Sequence, residues 1–428
     1  MQARTHFLQA FKQHIRRVSN KWLLEVRDFR LLWGGEACSL IGTQVHFAAL
    51  SWLTLQLTRS GEALGTVVLM ASVARVVFML LGGALADRLT PRFMMLLANL
   101  VQMLLSALLA LLVAFDTVHI WHLYGIAFLV GLMDAFFRPA YMAILPRLIP
   151  ANRLGAGVAL LDGTTQLSRF VGPVMGGMMI RWGGAVAAFG FDAFSFLVAA
   201  VTLVLMRAGG QILMTGQGIL GVPEAINART LVVGIGDGLR YVWRDRVMRP
   251  LLMATAMVNF LLTGPLVVGL PVLARVRFGT GPVAFGAMLS AFGGGALLGA
   301  LIAGSIRQPR RRGIVLSVVL GTTGVVLATL SVAPTVLLAS AATALVGLGS
   351  GFAAVIFNTW LQQRADVVIL GRVFGLVLFA AVILEPISYA LAGQLADRQL
   401  SLLFLLAGSM LCVTMLIVIT DRDVRALD

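Results

Sequence analysis

Gly83-Ala84-Leu85-Ala86-Asp87-Arg88-Leu89-Thr90-Pro91-Arg92 is a short charged hinge set between two long apolar stretches. Gly83 carries no side chain, so a neighbouring helix can approach its backbone closely. Asp87, Arg88 and Arg92 are costly in hydrocarbon and mark a place where the chain leaves a membrane, arginine favouring the cytoplasmic face. Outward from this hinge, apolar windows of ~20 residues, enough to cross a bilayer, recur along the whole chain. About twelve are read, over 30–57, 62–86, 93–114, 120–145, 156–180, 186–206, 248–274, 283–306, 313–332, 334–360, 371–396 and 400–420.

Composition agrees. Of the 428 residues, 59% are hydrophobic and 12% charged, and the mean hydropathy of +0.94 lies outside the range of soluble domains. The expected class is an all-α membrane protein. The net charge of +15 follows from arginine placement. With the N-terminus inside, the inner segments hold Arg4, Lys12, Arg16, Arg17, Lys21, Arg27 and Arg30, then Arg88, Arg92, Arg147, Arg153, Arg207, Arg229, Arg240, Arg244, Arg246 and Arg249. Arg307, Arg310, Arg311, Arg312, Arg364, Arg372, Arg422 and Arg425 complete that set. The outer segments hold Arg59, Arg181, Arg275, Arg277 and Arg398. This asymmetry predicts that both termini are cytoplasmic. Nucleic-acid binding would need the charge on a soluble basic face, so no nucleic-acid partner is expected.

The first 28 residues are basic and amphipathic, without the apolar core and cleavage site of a signal peptide, and are expected to lie on the anionic inner leaflet. Residues 207–247 form the longest polar segment and divide the chain. The expected units are therefore 1–28, a helical bundle over 29–206, a cytoplasmic loop with a surface helix over 207–247, a second bundle over 248–420 and a tail over 421–428. Gly299-Ala300-Leu301 ahead of Pro309-Arg310 echoes Gly83-Ala84-Leu85 ahead of Pro91-Arg92. Cys38 and Cys412 fall in the first and last spans and offer no metal-ligand spacing.

The hinge resembles the motif G-x-L-A-D-R-x-G-R-K/R that joins the second and third helices of major facilitator superfamily transporters, with Thr90 and Pro91 in place of the usual Gly-Arg pair. Gly172-Pro173-Val174-Met175-Gly176-Gly177 in the fifth span resembles the G-P-x-x-G-G core associated with exporters and antiporters of that superfamily. Pro173 removes a backbone donor and bends the helix, while Gly172 and Gly176 give a smooth face for close packing. Further runs, among them Asp28-Phe29-Arg30-Leu31-Leu32-Trp33, Phe137-Arg138-Pro139-Ala140 and Gly371-Arg372-Val373-Phe374-Gly375, are similar to the efflux branch that contains the enterobactin exporter and macrolide efflux proteins. The resemblance covers nearly the whole chain. It implies two pseudo-symmetric six-helix bundles with a cavity between them, and proton-driven export of amphiphilic molecules by alternating access.

Ionisable groups inside the bilayer are the candidates for that chemistry. Glu36, with Ser39 and Thr43 on its face, is a candidate proton carrier, as are Asp134, Asp162, Glu385 and His46. Asp134 and Arg138 are spaced to pair at i,i+4. Asp162, Gln166, Arg169 and Pro173 share a face too polar for lipid. Arg75 needs an internal partner and joins Asp87, Arg88, Arg92, Arg138 and Arg169 as a candidate charge network or gate. Asp192 is read as a helix-terminus or interhelical hydrogen-bonding group. Thr43, Gln166, Asn259 and Asn358 are candidate cavity groups. The expected function is a monomeric secondary exporter of the bacterial inner membrane, whose partners are an amphiphilic substrate, protons and lipids. No cofactor and no metal are expected. The absence of H-E-x-x-H, G-x-S-x-G and Walker-type loops speaks against an enzyme. A lipid or lysolipid flippase on the same fold is the alternative.

Overall fold

The computed structural model describes residues 25–86, 89–150, 153–207, 248–279, 281–306, 309–364 and 370–421. Most of the expected basic arm (1–24), the central segment 208–247, Asp87 and Arg88 of the hinge and the tail from 422 lie outside the described residues. The described chain is helical from end to end. The elements are α1 (Arg27–Thr58), α2 (Gly61–Ala86), α3 (Pro91–Ala114), α4 (Ile120–Leu148) and α5 (Leu154–Leu205), followed by α6 (Met248–Phe278), α7 (Pro282–Ser305), α8 (Arg312–Val332), α9 (Val336–Arg364), α10 (Leu370–Ile383) and α11 (Glu385–Thr420).

Ten helical stretches among the described residues are long and apolar enough to cross a membrane. About twelve spans are expected from the apolar windows, and the difference sits at two breaks. α5 passes through Gly184 at φ 67° and ψ −176°, a backbone conformation open to glycine because it has no Cβ. α11 passes through Gln399 at φ −151° and ψ 84°. The expected fifth and sixth spans therefore share one element, as do the eleventh and twelfth. The expected eleventh span is also interrupted at Leu384: Pro386 lacks the N–H that would continue the helix and sits instead in the first turn of α11.

α6 is irregular for a related reason. π-helical turns form at Pro265–Gly269 and Ala274–Phe278. Just before the first, the Gly264 N–H donates to Ser388 Oγ at 2.9 Å, and Ser388 Oγ donates to the Phe260 carbonyl at 2.5 Å. A hydroxyl from α11 thus stands where an i→i−4 bond of α6 belongs, which loosens that turn without leaving a polar group bare.

In the first half α5 packs on α1 and α3, and α4 on α2; in the second α7 packs on α9, and α11 on α8 and α6. The halves meet along two seams, α5 with α7 and α2 with α11. Glycines line both. On α5, Gly172 and Gly176 turn toward α1, where a methyl on Gly176 would sit 2.9 Å from Ala48 Cβ. Gly177 turns the other way, and a methyl there would sit 2.7 Å from the Pro282 carbonyl of α7. Gly286 and Gly293 of α7 in turn leave room for the Pro173 and Arg169 carbonyls. The Arg169 carbonyl is the one that Pro173 cannot satisfy, so the kink and the close contact have one cause. Val174 N–H closes the seam with a 3.0 Å bond to Ser290 Oγ. On the other seam a methyl at Gly393 would lie 2.9 Å from the Gly61 carbonyl, and one at Gly65 would lie 2.6 Å from that of Tyr389.

Hydrogen bonds fix which helix ends lie together. At one end Asp28 Oδ1 accepts from the Arg207 N–H, and Arg92 donates to the Val204 carbonyl at 2.9 Å. At the other, Arg275 reaches the Leu55 carbonyl and Arg277 reaches Ser401 Oγ at 2.9 Å. Large apolar side chains such as Leu104, Trp121, Val325 and Leu337 are exposed on the outside, as a lipid-facing surface requires.

Gly131 of α4 packs against the Ala71 carbonyl of α2, whereas Gly125 one face away has open space around it. Gly131→Ala is expected to destabilise the protein by about 1–3 kcal/mol, because backbone cannot yield as a side-chain end does. Gly125→Ala on the same helix should be neutral. Unfolding in detergent micelles measures both; equal stabilities for the two variants would contradict this packing.

Candidate functional site

The expected charged residues converge. Glu36 of α1, Asp134 of α4, Asp162 and Arg169 of α5 and Glu385 of α11 all lie within electrostatic reach of the Arg138 guanidinium. Arg138, Asp162, Arg169 and Thr43 are exposed although each sits well inside its helix, and Glu36 and Gln166 are half-buried. These groups face the cleft between the halves. The spacing of Asp134 and Arg138 does not produce an ion pair. Asp134 Oδ1 instead accepts from Gln102 Nε2 of α3 at 2.9 Å, leaving Arg138 to the cleft.

Arg75 finds its partner in the other half. Its Nη2 lies 2.6 Å from Glu385 Oε2, joining α2 to α11 midway along the seam. Ser72 Oγ donates to the same oxygen at 3.4 Å, and Arg75 Nε has no partner. Glu385 stands in the first turn of α11, immediately after the break at Leu384. There the helix N-terminus favours a carboxylate.

His46 belongs to a different cluster, inside the first half. Its Nδ1 lies 2.8 Å from Asp192 Oδ2, and the same oxygen accepts from Ser106 Oγ of α3 at 2.5 Å. Asp192 and Ser106 are 1% exposed and His46 7%. The interhelical hydrogen-bonding expected of Asp192 is what the structure has. Its histidine partner was not expected from sequence. The other expected groups are local. Asn259 donates to the Thr255 carbonyl of its own helix at 2.9 Å, Asn358 is exposed near the end of α9, and Arg92 caps the end of α5 through Val204. Gly83 lies within α2.

One tie between the halves was missed. Asp397 of α11 reaches across the seam to the start of α2, where Oδ1 accepts from the Gly61 N–H at 2.5 Å and Oδ2 accepts from Ser60 Oγ at 2.5 Å and the Glu62 N–H at 3.0 Å. Ser60 Oγ also accepts from the Ala63 N–H at 3.2 Å. A carboxylate from one half thus caps the helix N-terminus of the other. Beside it, Arg275 Nη1 donates to the Leu55 carbonyl at 2.5 Å, near the C-terminus of α1, which favours a cation. Asp397 and Arg275 thus grip the α1–α2 turn from both sides. The signal was present in the sequence: Gly393-Gln394-Leu395-Ala396-Asp397-Arg398 repeats Gly83-Ala84-Leu85-Ala86-Asp87-Arg88 with a single change.

Comparison with known proteins places this architecture. A family model described as transmembrane secretion effector matches residues 23–427. The chain is 31% identical over 369 residues to the multidrug efflux pump Tap of Mycolicibacterium fortuitum, an alignment covering 83% of this chain and 86% of that one. It is 22% identical over 412 residues to macrolide efflux protein A of Streptococcus pyogenes, covering 96% and 98%. Among solved structures, that of a mutant of the nucleoside transporter NupG superposes with a TM-score of 0.70 at 11% identity, covering 93% of this chain and 98% of that one.

If Asp397 caps α2, Asp397→Asn should speed amide hydrogen exchange at Gly61 and Glu62 by about 10–100-fold, the worth of charge-assisted bonds. Exchange at Leu123, buried on α4, serves as the internal reference. Unchanged exchange at the α2 start would mean the carboxylate is not holding that end.

Proposed function

Because the chain belongs to the transmembrane secretion effector family of the major facilitator superfamily, we propose that it is a secondary exporter which moves an amphiphilic small molecule, drug- or macrolide-like or a siderophore, out across the bacterial inner membrane in exchange for protons. The observation that carries this reading is the Arg75–Glu385 pair, which ties the two halves together inside the membrane. The seams around it are lined by glycine, so few interdigitating side chains resist a sliding or rocking of one half on the other. A charged cleft bounded by such seams suits alternating access.

The two bundles of this reading are 29–206 and 248–420, counted as twelve crossings when the breaks at Gly184 and Gln399 separate spans. The arginine-rich helix ends face the cytoplasm, and both termini with them. The end gripped by Asp397 and Arg275 is then the outer one, and the conformation is closed to the outside. The cleft groups Arg138, Asp162, Arg169, Thr43 and Gln166 meet substrate, with Asn259 and Asn358 as further cavity groups. The proton carrier is drawn from Glu36, Asp134, Asp162, Glu385 and His46. Arg88 and Arg92, with Asp87, form the inner gate. The protein acts as a monomer in contact with lipid, without cofactor.

Everted vesicles holding an acid-interior proton gradient test the reading. Macrolides, siderophores, dyes and lysolipids are added singly and proton release is recorded. Protein-dependent release is expected with an amphiphilic drug or siderophore. Release with lysolipid alone would make the protein a flippase, and silence across the panel would remove proton exchange. Glu385→Gln leaves Arg75 without its charge partner and should lower substrate exchange about tenfold or more, with Glu36→Gln retaining it. Full exchange by Glu385→Gln would deny the pair its role.

A further inference from the structure

The cleft acids are exposed or half-buried. The His46 cluster is different. Asp192 and Ser106 are sealed in the first half, with the Phe189 ring edge-on to the imidazole at 5.2 Å and 68°. Gly42 opposite has no side chain, and a methyl there would come within 2.8 Å of Asp192 Oδ1. Inside this packed core two atoms lack partners, His46 Nε2 and Asp192 Oδ1. Native buried polar atoms are nearly always bonded, so a pair built only to brace helices would be expected to have both satisfied.

Charge accounting gives the first of them a use. The Nδ1–H of a neutral imidazole, donated to Asp192 Oδ2, leaves a carboxylate charge uncompensated in an apolar core, and Nε2 is then a bare acceptor. One proton added at Nε2 converts the pair to imidazolium and carboxylate with no net charge. Loading and unloading need no rearrangement of the Nδ1–Oδ2 or Ser106–Oδ2 bonds. Only one N–H bond is made or broken: hydronium gives up the proton and water takes it back, each reaching Nε2 when the core around it opens to the cleft.

The cluster also has a connection to the cleft. Asn99, Gln102 and Ser106 share one face of α3, and all are buried. Gln102 donates to Asp134, which is within electrostatic reach of Arg75, Arg138 and His46. The groups facing the imidazole are thus Asp192 from α5, uncharged Ser106 from α3 and, further off, Asp134 from α4. On its own helix the next acid is Glu36, ten residues or ~15 Å away. We propose that His46 and Asp192, braced by Ser106, form the site that holds the exchanged proton, which enters and leaves from the cleft on the Asp134 side. This rests on the proton-exchange reading above and names its carrier. Asp192 and Ser106 act as positioning residues that keep the imidazole oriented and its charged form paired.

Purified protein in liposomes separates the two ideas. Substrate accumulation driven by a pH difference is compared with substrate exchange at equal pH, using whichever compound of the panel releases protons. His46→Gln and Asp192→Asn are expected to lose driven accumulation about tenfold or more while keeping exchange. Ser106→Ala should weaken driven accumulation and move the pH at which it is half-maximal, and restoring the hydroxyl with Ser106→Thr should bring both back. Nitrogen-15 spectra of labelled histidines, with the His46 signal found by difference from His46→Gln, should show that imidazole changing between neutral and charged forms with pH. Should Asp192→Asn not fold, His46→Gln and the spectrum decide. Undiminished accumulation by His46→Gln, or an imidazole that holds one form throughout, would overturn the proposal. Wild-type protein that exchanges substrate but never accumulates it against a pH difference would instead remove the proton-exchange reading.

Discussion

A charge or a free carbonyl in hydrocarbon has no water to fall back on, so it must find its partner inside the protein. That constraint organises this molecule. Arg75 ends on Glu385, Arg92 on the Val204 carbonyl, Arg275 on the Leu55 carbonyl, and Arg277 on the Leu330 and Ser331 carbonyls with Ser401 Oγ. Three of the four arginines terminate on carbonyls at or near helix C-termini, where the last turn has acceptors to spare and the helix dipole favours a cation. Each tie joins helices far apart in the chain. A bilayer provides little hydrophobic drive between helices, so such ties also help select which helices become neighbours.

Glycine supplies the complement. Where Gly286 and Gly293 meet the Pro173 and Arg169 carbonyls, and where Gly65 and Gly393 let α2 and α11 touch, the contact is backbone to backbone. Such surfaces pack closely yet carry few knobs that must be withdrawn when one slides past the other. The Ser388 hydroxyl placed between Phe260 and Gly264, followed by the π-helical turn at Pro265–Gly269, gives α6 a turn that is satisfied but not regular. Ion pairs and caps tie the halves at particular points, and under the alternating-access reading proposed above the glycine seams between those points are where one half would slide on the other.

The helices themselves were readable from the chain because hydrocarbon thickness sets a length that a sequence window measures directly. The breaks at Gly184 and Gln399 were legible only as turns between windows, since a window cannot say whether a helix restarts at once. The convergence on Arg138 was half legible. Each mid-membrane charge announces itself, but the partner of Arg75 lies 310 residues away, and no local pattern carries that distance. Asp134 and Arg138 show the opposite error. Their spacing suits a pair, yet Gln102 of a neighbouring helix takes the carboxylate. Asp192 was visible as a polar group, but His46 as its partner depended on how α1 and α5 rotate against each other. Asp397 had a sequence signal in its repeat of the hinge motif, and that repeat becomes meaningful once α11 is seen to run back along α2.

The same seam carries both the Asp397 cap and the mid-helix ion pair. Along α2, fourteen residues or ~21 Å separate Gly61, bonded to Asp397, from Arg75, bonded to Glu385. Two bonds on one rigid pair of helices cannot be treated as independent: a rotation that lifts α2 from Asp397 also strains Arg75 against Glu385. A bare guanidinium turned away from the cleft is costly at that depth, so an opening of the seam that kept Arg75 out of the cleft would hand it to another acid. Asp134 is within its electrostatic reach and belongs to the same half, so it would travel with it. Asp134 in turn is bonded to Gln102, which shares a face of α3 with Ser106 of the His46 cluster, and His46 is within its electrostatic reach. On the proton-exchange reading proposed above, a partner change at Arg75 would alter the field at the buried imidazole without any contact between the two, and would make the motion of the halves and the occupancy of the proton site one equilibrium.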